Sequence, residues 1–343
     1  MNKFLILSMI LLLLISCSEK NNYMYNCKGI PAINQSFTYM FFKTENEGYL
    51  FGTLTDYKEL NEDELNDPNI LPKSTYEANI YKTVDGGNNW MKIDSNANYH
   101  YYDISTYYDN SIYIVQSDVR EDFNFFITQF KIEEEMKNTL IQVKNISSIW
   151  CDNNKIYFTN NRDIIKLYSF QHNQIIDSIN VRDYILSGLN IRGKSFAIFS
   201  NSEKTYFGKI DDIKTEIELP IVPKNIVRQG DSKILIAGNV KTNQNEICIV
   251  NYDIDTKQQK IVKKFKNYSI IQDLKSNNKL IIGFLGNIKG AFTQYDLLYS
   301  LDKGKTWHIK EIDESNHVRP SCLIDNIVYI YSGGSRMQKI VLK

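Results

Sequence analysis

Neither sign of charge is in surplus: Lys+Arg and Asp+Glu are 40 each in 343 residues. A chain that neutralises phosphates needs an excess of cations, so no nucleic-acid partner is expected. Six prolines and 16 glycines are too few for a long disordered chain. Histidine is scarce (His100, His172, His308 and His317), and the five cysteines form no CxxC pair. That scatter gives no zinc-type ligand spacing, so no metal and no cofactor is expected. No stretch holds a 3.6-residue period of helical length. The single helix-like piece is Lys131 to Lys137 (KIEEEMK), short enough to be a polar hairpin loop. The acidic segment 54–76 lacks the alternating oxygen ligands and glycine-centred turn of a calcium loop, and reads as a solvated insert.

Only one long apolar run exists, Phe4 to Ile15, preceded by Lys3. It is too short to span a bilayer but fits the core of a signal peptide. It ends in Leu14-Ile15-Ser16-Cys17, which resembles a bacterial lipobox. The resemblance implies a signal peptide over residues 1–16, cleavage before Cys17, lipidation of that cysteine, and a short tether over 17–27. With Ser18 following the cysteine, it also implies the outer membrane of a bacterial envelope. The mature chain would be anchored to the membrane rather than span it. An exported compartment permits disulfides, but the scattered Cys27, Cys151, Cys248 and Cys322 specify none and are expected as buried free thiols. The triplet Asp177-Ser178-Ile179 also matches an O-glycosylation motif of Bacteroidetes-type exported proteins.

What the chain does have is aromatic and β-branched residues, with 23 Tyr and 17 Phe, and polar turn residues between them. Seven times a polar turn leads into a dense apolar run: ENEGYLFGT (45–53), DNSIYIV (109–115), NNKIYFT (153–159), RGKSFAIF (192–199), DSKILIAG (231–238), NNKLIIGF (277–284) and DNIVYIYSG (325–333). Measured at Tyr49, Ile112, Ile156, Phe196, Ile234, Leu280 and Val328, the gaps are 63, then 44, 40, 38, 46 and 48. After the first, which carries the insert, these match the ~40–50-residue period of propeller blades. Runs apolar at consecutive positions suit strands buried on both faces, as inner propeller strands are. The expectation is an all-β chain, a seven-bladed propeller of four-stranded blades over 28–343. Its last blade is one strand short, and Met24 to Ala32 is free to supply that strand and so remove an exposed sheet edge.

Two stretches share a pattern of hydroxyl, acid, glycine and tryptophan: TVDGGNNW (83–90) and SLDKGKTW (300–307). Each sits where a third strand should turn into a fourth. Glycine supplies positive φ for the turn, and a carboxylate two residues earlier can accept backbone N–H groups across it. The pattern resembles the Asp-box, or BNR repeat. Ser300, Asp302, Gly304, Thr306 and Trp307 match it fully. Thr83, Asp85, Gly87 and Trp90 match its core, with Asn89 in place of the usual threonine. The first copy also resembles repeats of photosystem II assembly-factor-like propellers. The resemblance implies a turn-forming rather than a catalytic role for these residues.

Sialidases share the motif, and they clamp a substrate carboxylate with three arginines, one in an early Arg-Ile-Pro. Here the first of seven arginines is Arg120, no Arg-Ile-Pro occurs, and the one Arg-Pro is Arg319-Pro320. No catalytic residue is therefore assigned. The expected activity is that of a monomeric, non-catalytic binding or assembly module for an envelope protein or glycan. A sialidase-like glycoside hydrolase and an accessory or immunity-type lipoprotein are the alternatives. Binding is expected on the face opposite the two Asp-box turns, on a rim holding Tyr57, Lys289, Phe292 and Arg336.

Overall fold

The computed structural model describes residues 22–343, apart from 32–33, 58–73, 121–123, 153–154, 161–163, 181–183, 202, 211–215, 278, 291, 313–317 and 334. The signal segment, Cys17 and most of the acidic insert lie outside the described residues.

The described chain is all β, in seven four-stranded antiparallel sheets. Blade one holds β2 (Gln35–Phe42), β3 (Gly48–Tyr57), β4 (Ser74–Thr83) and β5 (Met91–Ala97). Blade two holds β6 (Tyr99–Tyr108), β7 (Ser111–Asp118), β8 (Asn124–Lys131) and β9 (Met136–Lys144). Blade three holds β10 (Ile146–Asp152), β11 (Lys155–Asn160), β12 (Ile164–Ser169) and β13 (Gln174–Asn180). Blade four holds β14 (Tyr184–Ile191), β15 (Lys194–Ser200), β16 (Thr205–Lys209) and β17 (Glu216–Ile217). Blade five holds β18 (Ile221–Gln229), β19 (Lys233–Val240), β20 (Asn243–Asp253) and β21 (Gln259–Lys266). Blade six holds β22 (Ile270–Ser276), β23 (Ile281–Lys289), β24 (Phe292–Ser300) and β25 (His308–Glu311). Blade seven holds β26 (Ser321–Ile324), β27 (Ile327–Gly333) and β28 (Arg336–Val341), completed by β1 (Asn22–Asn26) from the other end of the chain.

All seven apolar runs are second strands, and their double-sided burial explains their pattern. In β19, Ile234 and Ile236 pack with Phe196, Ile198 and Phe207 of blade four, while Leu235 and Ala237 pack with Ile281, Leu285 and Leu298 of blade six. Alternate residues thus serve the two neighbouring blades, so consecutive positions are apolar. Each such side chain is worth roughly 1.5–3 kcal/mol on full burial. The KIEEEMK stretch is a hairpin: Lys131 ends β8, Glu133 to Glu135 turn, and Met136 begins β9.

The closing strand is shifted from its expected place. It runs Asn22–Asn26 rather than Met24 to Ala32, so residues assigned to the tether belong to blade seven. The reason lies just downstream. Gly29 has φ +80°, and a Cβ there would meet the Trp90 carbonyl oxygen at 1.9 Å. The chain bends at this glycine and zips onto blade one, with Lys28 N–H donating to Asn88 O and Trp90 N–H donating to Lys28 O, each at 2.9 Å. All four described cysteines are free; Cys27, Cys248 and Cys322 are buried and Cys151 partly so.

A candidate ligand site around the central channel

The two aspartate turns come first, because their geometry defines the faces of the disc. In blade one, Gly87 N–H donates to Thr83 Oγ1 at 3.0 Å, Thr83 Oγ1 donates to Asp85 Oδ1 at 2.9 Å, and Asn89 N–H donates to the same oxygen at 2.9 Å. In blade six, Gly304 N–H donates to Ser300 Oγ at 2.7 Å, Ser300 Oγ donates to Asp302 Oδ1 at 2.9 Å, and Thr306 N–H donates to it at 2.8 Å. Asn89 Nδ2 and Thr306 Oγ1 each reach the second carboxylate oxygen, so asparagine substitutes for threonine without loss of the bond. Trp90 and Trp307 each donate Nε1–H to the turn glycine's carbonyl, at 2.8 and 3.0 Å. These bonds hold the Asp302 carboxyl down at about 2, chiefly through the backbone N–H of Thr306. Both carboxylates are occupied by their own turns. The tryptophans differ in burial: Trp90 is only 4 % exposed, whereas Trp307 is half-buried.

The turns joining strands one to two and three to four lie on this aspartate-turn face. The connections from two to three, and from four to the next blade, lie on the other. Tyr57, Lys289, Phe292 and Arg336 all stand at strand ends on the other face. Lys289 and Phe292 pair across one hairpin, and Phe292 is 67 % exposed.

The inner strands shape the channel. Six of the seven break register: β2 between Phe37 and Tyr39, β6 between Tyr101 and Ser105, β10 between Ile146 and Ile149, β14 between Ile185 and Ser187, β18 between Pro223 and Asn225, and β22 between Gln272 and Lys275. A bulged residue escapes the alternation that sends its neighbours into adjacent blades, so it can be aimed elsewhere. Thr38, Asp103, Ser148, Leu186, Lys224 and Asp273 lie in these bulges, and all line one axial cavity of about 490 Å³. Its lining residues fall mostly in the first halves of the inner strands, nearer the face opposite the aspartate turns.

One side of this cavity is strongly polar. Lys275 Nζ donates to Asp273 Oδ2 at 2.9 Å and to Ser321 Oγ at 3.0 Å, and Ser321 Oγ donates to Asp273. Arg319 pairs with Asp103 at 3.2 Å. Burial works to raise the Asp273 carboxyl, but Lys275 and Arg319 outweigh it and hold it below the usual carboxylate range. At Asp103 burial prevails over Arg319, and that carboxyl is raised. Asp273 also has φ +56°, a costly conformation for a non-glycine residue. The buried Ser148 hydroxyl has no partner among the described residues.

A second cavity, about 790 Å³, lies between blades five and six on the same side. Asn245, Asn267, Ser269 and Asn287 supply donors and acceptors, and Ile270 and Ile288 supply apolar surface. Asn239 ties its two walls together, donating Nδ2–H to Gln244 O at 2.7 Å and to Ser269 O at 2.8 Å. Lys224 lines both cavities and makes no hydrogen bond or ion pair among the described residues. The hairpin carrying Lys289 and Phe292 borders this groove through Asn287 and Ile288; Tyr57 and Arg336 line neither cavity.

The channel residues carry no sequence motif, apart from Arg319-Pro320 as the one Arg-Pro pair. The one local signal is that Asp103 and Asp273 are each the sole carboxylate of an inner strand, YHYYDISTYY and IIQDLKS.

No family model matches the chain, and no curated protein matches it. Solved structures do. A chain of a mitotic checkpoint complex crystal structure superposes with TM-score 0.59 at 10% identity, covering 93% of this chain and 91% of that one. The WD40 β-propeller domain of Doa1 gives 0.57 at 9% identity, covering 93% and 96%. The β-propeller domain of the Trilobed protease from Pyrococcus furiosus gives 0.56 at 13% identity, covering 86% and 90%. That domain is described as having an open velcro topology, whereas here β1 closes the ring. At these identities the likeness shows the fold: a seven-bladed β-propeller.

Proposed function

We propose that this chain is a lipid-anchored Asp-box propeller of the bacterial cell envelope. It serves as a non-catalytic binding or assembly module for a protein or glycan, engaged through the face opposite its Asp-box turns. The observation that carries this reading is the division of labour between the faces. On one, the motif carboxylates are consumed by their own turns. On the other, six bulged inner strands present polar side chains to an axial cavity, and Lys224 joins that cavity to an amide-lined groove. Loops and irregular backbone on a rigid scaffold are where recognition usually sits. Likeness to a chain of a multiprotein assembly, the mitotic checkpoint complex, and to the WD40 propeller of Doa1 is compatible with such a scaffold role.

One observation favours the hydrolase alternative: Asp103 and Asp273 are pushed apart in acidity, as an acid and a base would be. Both, however, are already committed to Arg319 and Lys275, and among the described lining residues Arg319 is the one arginine.

The test is binding of detergent-solubilised full-length protein to arrayed bacterial surface glycans and purified envelope proteins, repeated with Lys224→Glu. Binding weakened at least about thirtyfold by that substitution is the expected result, a loss in the range of an interface hot spot. Turnover of a fluorogenic sialoside that disappears in Asp103→Asn would overturn the non-catalytic reading.

A further inference from the structure

The completing strand fixes where an N-terminal anchor must sit. β1 is the fourth strand of blade seven, and Asn22 pairs with Ile340 near the end of β28. In blade one the residue beginning the fourth strand is Met91, paired with Lys82; in blade six it is His308, paired with Tyr299. Asn22 therefore stands where those two blades have just left their aspartate turns. The ring repeats its blades about one axis, so these three places lie at one height and one radius. The chain enters blade seven on the aspartate-turn face, flanked on either side by an aspartate turn.

Both flanking turns carry an exposed apolar residue at the same motif position, between the hydroxyl and the aspartate. Val84 is 70 % exposed and Leu301 is 40 % exposed. Met91 and Ile309, just beyond the turns, are exposed as well. Cations accompany them: Lys28 runs beside the blade-one turn, and Lys303 and Lys305 are exposed in the blade-six turn. The acidic turn of the next blade is neutralised internally, with Glu133 on Lys43, Glu134 on Lys131 and Glu135 on Lys82.

Resting on the lipid anchor proposed above, we infer that the aspartate-turn face of blades six, seven and one is a membrane-docking surface. Val84 and Leu301 enter the interfacial region of the bilayer, and the neighbouring lysines meet lipid headgroups. Four residues, 18–21, separate Cys17 from Asn22, so the five steps between them span at most about 18 Å. An acyl chain on Cys17 thus holds this face against the lipid. Apolar side chains with flanking lysines are the composition that inserts shallowly into the headgroup region. The channel mouth and the groove between blades five and six then point away from the membrane, towards ligand.

The experiment labels full-length, membrane-purified protein with an environment-sensitive fluorophore at Val84→Cys, Leu301→Cys or, on the opposite face, Phe292→Cys. All three sites are exposed, so the labels leave the core intact. The proteins are reconstituted into phosphatidylcholine–phosphatidylglycerol vesicles with or without brominated acyl chains, and the mass of the N-terminal peptide is measured in the same samples. The expected result is a blue shift and loss of about half the emission at 84 and 301, as for side chains buried shallowly in the interface, with emission at 292 unchanged. A lipidated protein quenched at 292, or at none of the three sites, overturns the docking face while leaving the anchor standing. An N-terminal peptide without lipid overturns the anchor and the docking face together.

Discussion

The Tyr25 hydroxyl donates a 2.7 Å hydrogen bond to the carbonyl of Gly86, joining the strand that completes blade seven to the aspartate turn of blade one. The turn and the strand are fitted to each other: a Cβ on Gly87 would meet Tyr25 Oη at 2.9 Å and Met337 Sδ at 3.2 Å. Tyr329 reinforces the seam, donating to Glu45 O at 2.7 Å and stacking on Phe42 with ring centroids 3.9 Å apart. The first aspartate turn thus has a second task, as the surface on which the ring closes.

Tyr25→Phe should lower stability by about 1 kcal/mol, the worth of one hydrogen bond. Removing residues 22–34 should do far more, because it opens the outer edge of blade seven and strips the cover from Trp90. Urea unfolding followed by tryptophan fluorescence checks both. A protein beginning at Gln35 that unfolds as sharply as the full chain would show that closure does not depend on β1.

The two motif tryptophans should not be equivalent. Trp90 is enclosed by Cys27, Ile30 and Phe42 in the seam between blades seven and one. Trp307 packs at the margin of the core between blades five and six. Trp90→Ala should cost about 3–5 kcal/mol, the range for a fully buried aromatic. Trp307→Ala should cost clearly less, and neither should alter ligand affinity in protein that remains folded. Equal losses, measured by thermal unfolding of the two variants side by side, would contradict this difference in burial.

Acid should release the aspartate turn of blade six. The Asp302 carboxyl is held at about 2, against about 3.9 for an unfolded aspartate. A depressed folded value gives stability that is complete above the unfolded value and lost as pH falls through the folded one. The window is therefore about pH 4 down to about 2. Asp302→Asn should remove that part of the pH dependence, leaving a flatter stability profile there. Calorimetric scans across this range decide it: an unchanged slope in the variant would mean the turn bonds do not bear on folding.

The fold was legible because its signals are local. Each second strand is buried between two blades, so each announces itself as a continuous apolar run such as IIGF or IVYIYSG. Each aspartate turn is closed by residues within eight positions of one another, so its bonds could be anticipated from spacing alone. Seam and channel were not legible in the same way. Asn22–Asn26 carries little strand signal of its own, and its place is set by the contact of nearby Gly29 with Trp90, which is remote in sequence. Asp103, Asp273 and Arg319 come from blades two, six and seven, and only ring closure brings them to one axis. The bulges that aim Asp103 and Asp273 leave no mark on a period-two pattern, because a bulge inserts a residue rather than changing its type. None of the four expected rim residues lines either cavity itself; the Lys289–Phe292 hairpin reaches the groove only through Asn287 and Ile288, because blade counting places a hairpin on a face without saying which interblade gap opens into a groove.

The channel ion pairs offer a last test, one that separates structure from recognition. Asp273 is largely buried and stays ionised because Lys275 is bonded to it. Breaking a buried pair costs about 3–5 kcal/mol. Lys275 is a third exposed, so solvent screening lowers the expectation for Lys275→Met to about 2 kcal/mol at neutral pH. Without its partner, burial should raise the Asp273 carboxyl above the value of an unfolded aspartate. The sign of the pH dependence then reverses: the variant should regain stability as pH falls, with the deficit largest where Asp273 must remain charged. The Asp273→Asn, Lys275→Met double variant leaves no buried charge and should recover most of the loss at every pH. Urea unfolding at pH 5 and 7.5 reads all three proteins. A single variant as stable as the parent at both values would mean that Asp273 is solvated in the channel, and that the cavity wall is not held by this pair.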